Sequence, residues 1–409
     1  MKIPIFKIYL GRANNKVGDK NYHKKRKNRL NSFSRYNYIL LLYTTIPLII
    51  VGFFNWFIDP QDIFKSSDIT TINHAKIKKD NNDRLFKAVD IIRLQPENII
   101  MGSSRTKQGI DPDFLAIQGE ANYYNLAING PNFYEIKRYI EHAIYNQPNL
   151  KTIILGVDFF MFNQNLDNQP TFTNSRLEKK HLIIEDIVKN LFSLDAANNS
   201  IETIKASQSS TDAIDNNYGA DGFMPRKLQN EKIIPLFHKS IALYYELHSD
   251  YQFSKAYWND FQDIVELCRQ NNIDLKVFIS PAHATRWESI YTTKKWDVLE
   301  QWKRELAKLV PVWDFSGYNS ITTEPISNEM KNYIDDSHYT PQIGNLIIER
   351  ILGKESEIPA DFGTLIDSKN IEQHLKKIRS DRQKWLKNNP EEVEMVGNFY
   401  TKVNQKKNE

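Results

Sequence analysis

Apolar and polar positions fall into blocks that predict alternating strands and helices behind one long apolar segment. From Tyr38 to Ile58 the run YILLLYTTIPLIIVGFFNWFI contains no charged residue. About 20 such residues, rising 1.5 Å each, cross about 30 Å of hydrocarbon as a helix. Tyr38, Trp56 and Phe57 stand near its two ends, where aromatic belts occur. Pro47 is tolerated inside a membrane helix. A cleaved signal peptide would have a shorter apolar core and a small-residue cleavage site, and Asn55 to Pro60 offers none.

Downstream, short apolar runs predict five strands: Ile99-Ile100-Met101, stopping at Gly102; Tyr123 to Ile128; Lys151 to Asp158; Leu275 to Ile279; and Val312 to Phe315. Helical spacing is found over Leu85–Leu94, Phe133–Tyr145, Tyr257–Arg269, Trp296–Leu309 and Gln342–Ile351, with Pro131 suited to a helix start. This alternation predicts an α/β fold with a parallel sheet covered on both faces. Each strand ends near Gly, Ser, Asp or Asn, so polar chemistry gathers at the carboxyl edge of the sheet.

The alternation breaks between Asp158 and about Asp250. There Ser175–Leu194 reads as a charged amphipathic helix, and Asn198–Gly222 as loop. Asn216–Phe223 reads as a turn-rich lid near the strand ends. The expected organisation is a tail (1–37), an apolar anchor (38–58) and a linker (59–95). A domain follows (96–353), with an insertion at about 160–250 that shapes a substrate groove. Last comes a charged helical extension (354–409), in which Ile371–Leu386 is solvent-exposed and Gln405–Glu409 frays.

Charge refines this layout. Residues 1–37 carry eleven Lys and Arg against one acid, Asp19, so the net charge of +4 divides into +10 on the tail and −6 on the rest. The tail lacks an apolar period and reads as disordered or lying on a membrane surface. Positive residues flanking a span stay in the cytoplasm, which puts the domain on the far side. The mildly acidic body excludes a broad nucleic-acid surface. The single cysteine, Cys268, excludes an intramolecular disulfide and leaves the compartment open.

Candidate chemistry centres on two segments. In Gly102-Ser103-Ser104-Arg105, Ser104 stands at a strand-to-helix turn, where a hydroxyl is held above the sheet edge and backbone N–H groups can receive an oxyanion. An ordinary serine N-cap is the other reading of such a turn. Far downstream, Asp335-Asp336-Ser337-His338 offers an imidazole base with two carboxylates close behind it, either able to orient the ring. Arg105 suits an acidic sugar or phosphate, or else a structural ion pair. His283, in Ser-Pro-Ala-His, suits a pocket lining or a structural position. No metal is expected, because His238, His248 and His283 share no ligand spacing.

These residues resemble the SGNH, or GDSL-like, hydrolase superfamily. Gly102-Ser103-Ser104 is similar to its first block, with Ser103 where an Asp usually stands. Asn125-Leu-Ala-Ile-Asn-Gly130 is similar to the second, and Asp335-Asp-Ser-His338 to the last, Asp-x-x-His. Gly156-Val-Asp158 falls where the third block carries Gly-x-Asn, so Asp158 replaces the oxyanion-hole asparagine. An ionised Asp cannot donate a hydrogen bond. The anchored layout resembles the alginate O-acetylation and D-alanyl-lipoteichoic acid esterase-like branch. A one-residue Asp-x-His gap, as in the alginate proteins, would favour Asp336 over Asp335.

The resemblance implies a flavodoxin-like three-layer sheet behind a single inner-membrane span, with the domain periplasmic or otherwise extracytoplasmic. It implies serine acyl transfer without a cofactor: an O-acetyltransferase or esterase acting on an envelope polysaccharide. Ser104, His338 and Asp335 would be catalytic, and Gly130 would donate to the oxyanion. A membrane-bound O-acyltransferase is an implied partner. A non-catalytic glycan-binding or scaffold subunit of such a complex is the alternative, motivated by Asp158.

Overall fold

The predicted apolar runs pair into one sheet. A computed structural model of the chain describes residues 18–120, 122–209, 219–226, 228, 231–354 and 358–408. Its elements begin with α1 (Gly18–Ile58), α2 (Asp83–Leu94), β1 (Asn98–Met101), α3 (Ser104–Gly109), α4 (Pro112–Ile117), β2 (Tyr123–Asn125), α5 (Phe133–Asn146) and β3 (Thr152–Val157). Then come α6 (Asn174–Leu177), α7 (Ile184–Phe192), α8 (Leu194–Gln208), α9 (Ile233–His248), α10 (Lys255–Gln270) and β4 (Asp274–Ile279). The chain closes with α11 (Ala284–Thr292), α12 (Trp296–Leu309), β5 (Val312–Asp314), α13 (Pro341–Ile351), β6 (Thr364–Ile366), α14 (Ile371–Asn388) and α15 (Pro390–Asn408). The strand order is β2-β1-β3-β4-β5-β6; β1 to β5 run parallel and β6 pairs antiparallel to β5.

Successive strand residues point to opposite faces, so each strand feeds two cores. Ile99, Met101, Ile153 and Leu155 join Phe133, Ile140, Phe261 and Ile264 on one side. Ile100, Ile154 and Phe278 join Ile343 and Ile347 on the other. Burial of both faces explains why these strands read as continuous apolar runs.

Four expectations are corrected. The segment 59–95 is packed structure rather than a linker: Asp59 accepts the N–H groups of Ile63 and Phe64, Lys76 Nζ donates to the carbonyls of Ile58 and Asp59, and most of α2 is buried. The 354–409 stretch belongs to the body as well. β6 extends the sheet, and α14 buries Ile371, Leu375, Ile378 and Trp385, a helical stripe inside a charged sequence. Ser175–Leu194 is split between α6 and α7, and Ser193 caps α8 across the stretch read as loop. Residues 18–37 are helical, continuing α1 upstream of the apolar run; residues 1–17 lie outside the described residues.

One N-terminal helix is therefore long and apolar enough to cross a membrane. Ser32–Ile58 is its apolar part, and only 11% of its most apolar window is buried inside the protein. Its end is clamped to the domain. Asn55 is fully buried, donates to the Leu191 carbonyl and accepts from Ser200 Oγ. A Cβ on Gly52 would lie 2.5 Å from the Phe192 ring, so α1 and α7 touch there.

The approach of α3 to α13 positions the site. A Cβ on Gly344 would lie 1.7 Å from the Gly109 carbonyl oxygen, and one on Gly109 would lie 2.1 Å from the Tyr339 ring. These glycines let the helix that begins at Ser104 press against the segment that carries His338. Gly344→Ala is expected to destabilise the fold by about 1–3 kcal/mol, as overpacking does. A urea midpoint equal to that of the wild type, in the same detergent, would contradict this contact.

Candidate active site

The strand order turns back between β1 and β3, and open α/β sheets leave a crevice outside the carboxyl ends at such a point. After β1 the chain passes Gly102 into α3. A Cβ on Gly102 would meet the Thr106 hydroxyl at 2.3 Å, which makes glycine necessary at this turn. Ser103 performs the N-cap role, accepting from the Arg105 N–H. Ser104, the next residue, is thereby left for other chemistry.

Ser104 Oγ lies 2.9 Å from His338 Nε2. His338 Nδ1 lies 2.9 Å from both carboxylate oxygens of Asp335. The loop between Ile334 and Tyr339 makes this geometry. Tyr333 and Tyr339 bridge antiparallel, Ile334 N–H donates to the His338 carbonyl, and Asp335 Oδ1 accepts the N–H groups of Ser337 and His338. Burial pushes the Asp335 carboxyl up. The charge and hydrogen bond of His338 and the two backbone donors outweigh that and hold it well below the usual carboxylate range.

Asp336 plays another part. It pairs with Arg286 Nη2 at 2.8 Å. Burial, reinforced by the neighbouring Asp335, raises its carboxyl despite Arg286. Of the two carboxylates left open by the sequence, the structure brings Asp335 to His338.

Asp158, at the end of β3, is buried and accepts from Ser103 Oγ at 2.5 Å and Arg105 Nη1 at 2.8 Å. It is an acceptor tied to the turn, not a donor facing the site. Arg105 also donates from Nε to Ser337 Oγ at 2.9 Å, which joins the serine turn to the histidine loop. Gly130 sits at φ +51°, a left-handed conformation that suits glycine, and reaches the cavity wall. Asp83 and Arg84 hold the preceding residue: Asp83 accepts the Asn129 N–H and Arg84 donates to the Asn129 carbonyl. Asn125 donates to the Thr106, Lys107 and Ile110 carbonyls, fastening the end of α3.

Besides Asp158, His283 and the described part of the expected lid are absent from the cavity lining. His283 is fully buried, its Nδ1 on Thr285 and its Nε2 on the Glu324 carbonyl, and burial pushes its pKa down to about 4. It is a structural cap of α11. Of the expected lid, Gly219–Phe223 packs on the β2 edge, with the Asp221 carbonyl accepting the Asn125 N–H and the Gly222 carbonyl accepting Lys87. Residues 216–218 lie outside the described residues.

A cavity of about 190 Å³ opens beside Ser104 and His338. Its walls come from the stretch after β3 (Phe159, Phe160), from α9 (Leu243, Tyr244, Leu247) and from α11 (Arg286, Trp287, Ile290). Sequence reasoning did not single out these residues, although α9 lies inside the insertion expected to shape a groove and α11 follows the end of β4. Among the described residues, Asp111, Asp113 and Asp221 form one group of carboxylates within 4.8 Å of one another. Asp111 caps α4 and Asp221 accepts the Phe223 N–H, which accounts for two of the three without a metal. Compared with known proteins, no family model matches the chain and no curated protein matches it.

Proposed function

We propose that the protein is a membrane-anchored serine acyl-transfer enzyme of the SGNH kind, an O-acyltransferase or esterase working outside the cytoplasm on an acylated envelope polysaccharide. The observation that carries this reading is the continuous chain of contacts from Ser104 through His338 to Asp335. A nucleophile, a base and a group orienting that base are what acyl transfer by serine requires. The order of the first five strands, 2-1-3-4-5, supports a flavodoxin-like sheet, with Ser104 at its switch point.

In this mechanism His338 Nε2 takes the Ser104 Oγ proton as Oγ attacks the ester carbonyl. The backbone N–H groups of Ser104 and Gly130 receive the oxyanion. On collapse the alcohol leaves with the proton from His338, and the acyl group remains on Ser104. Water or a sugar hydroxyl then attacks and gives its proton to His338, which returns it to Ser104 Oγ as the acyl–Oγ bond breaks. Asp335 keeps Nδ1 protonated and stabilises the imidazolium. α1 supports the anchor, with its basic tail cytoplasmic. The exposed side chains of Ile184, Val188 and Phe192 on α7 extend the apolar surface of α1 at its clamped end.

Asp158 favours a second reading, a non-catalytic glycan-binding or scaffold subunit, because its carboxylate cannot supply the donor that asparagine would. The experiment is labelling of the full chain in detergent with a fluorophosphonate, followed by peptide mapping. The expected result is one adduct on Ser104, retained in Ser103→Ala and lost in Ser104→Ala. A folded wild type that binds glycan and takes no label would select the second reading.

A further inference from the structure

From the lining of the cavity beside Ser104 we infer that it receives the acyl chain of the substrate and favours a chain of several carbons over acetyl. This rests on the serine acyl-transfer reading and adds the class of acyl group. Leaving Ser104 and His338, the wall is predominantly apolar: Phe159, Leu243, Leu247, Tyr251, Trp287 and Ile290. Such a wall offers a sugar ring few partners for its hydroxyls, which would lose their hydrogen bonds to water on entering. An alkyl chain loses none.

Both arginines at the wall are held by buried carboxylates behind it, and they also donate to the wall hydroxyls of Ser337 and Ser240. Arg105 is paired with Asp158, and Arg286 with Asp336, each at 2.8 Å. The Arg286 guanidinium also lies over the Tyr244 ring, 4.5 Å from its centre. Burial, with Arg286 and Arg105 adding to it, pushes the His248 pKa down to about 3, so this ring is neutral near pH 7. Two cations balanced by two anions, beside a neutral imidazole, leave no net charge to recruit a phosphate or uronate. Size points the same way. The cavity of about 190 Å³ far exceeds the roughly 30 Å³ share of a water-sized group such as the acetyl methyl. Leu243 and Leu247, one turn apart on α9, are 47% and 55% exposed and still line the cavity, so the chain has an open end to run toward.

The test is hydrolysis of p-nitrophenyl acetate, butyrate and hexanoate by the full chain in detergent, with Ser104→Ala as the blank. Burial of each methylene predicts a rise of about fourfold in kcat/KM, and so about two-hundredfold from acetate to hexanoate. Ile290→Trp fills the cavity and is expected to reduce the hexanoate-to-acetate ratio at least tenfold. Leu247→Trp, at the half-exposed mouth, asks the same question should Ile290→Trp fail to fold. A kcat/KM that is flat or falls from acetate, or a ratio unmoved in the folded variants, overturns the acyl-chain assignment while Ser104-dependent turnover still upholds the serine reading. No Ser104-dependent turnover at any chain length overturns both.

Discussion

Ser104→Ala and His338→Ala are each expected to lower ester turnover about a millionfold, Asp335→Asn about ten-thousandfold, and Asp336→Asn less than tenfold. Nucleophile and base act as a unit, so the double variant Ser104→Ala/His338→Ala should be no worse than either single one. Asp335→Asn keeps the shape of the side chain but removes the charge that holds Nδ1–H and stabilises the imidazolium. Asp336 touches Arg286 rather than His338, so its replacement leaves the carboxylate beside the imidazole in place. The pH dependence has a definite sign. A folded-state pKa held below the unfolded value makes Asp335 stabilising above the ordinary carboxylate range, and that contribution is lost as pH falls through the lowered value. Steady-state turnover of the aryl esters, with folding checked by circular dichroism, measures all five variants. Equal losses in Asp335→Asn and Asp336→Asn would remove Asp335 from its role.

Asp158→Asn is expected to destabilise the protein by about 3–5 kcal/mol, even though an asparagine amide can donate a hydrogen bond where the carboxylate cannot. The side chains of Asp158 and Arg105 are 0% and 7% exposed, and removing one partner of a buried pair leaves the other charge uncompensated. Arg105→Met is expected to cost a similar amount, with Asp158 as the stranded charge. The double variant Arg105→Met/Asp158→Leu removes both charges and should recover most of the loss. Urea unfolding of the full chain in one detergent reads all three. Asp158→Asn with wild-type stability and higher turnover would mean that position 158 serves as an oxyanion donor, and the ion-pair account would fall.

Local pattern reached far into this molecule. Ile99–Met101, Lys151–Asp158 and Leu275–Ile279 are strands within a residue or two of their expected ends, because apolar runs bounded by Gly, Ser or Asp have few other uses. Trp296–Leu309 is a helix with the expected ends. β6 escaped notice because Thr364–Ile366 is three residues long and only Ile366 is buried. From Asn198 onward the Ser, Asn, Asp and Thr content of α8 predicts loop; burial of Ser200, Thr203 and Ala206 along the helix overrides that weak local preference.

The same division runs through the site. Ser104 and His338 were legible as residue types at a strand-end turn and before a closing helix, and one apolar segment was legible as a helix of membrane-spanning length. Their meeting across 234 positions was not, since it depends on α3 and α13 closing over Gly109 and Gly344. Nor could spacing choose between Asp335 and Asp336. Adjacent residues in a turn point different ways, and the Tyr333–Tyr339 bridge decides which one lies by the imidazole. The cavity wall was also hidden, because α9 and α11 meet at Ser104 only through long-range packing. Chain order carries local preference and residue chemistry; distances between remote side chains arise only when the cores on both faces of the sheet close.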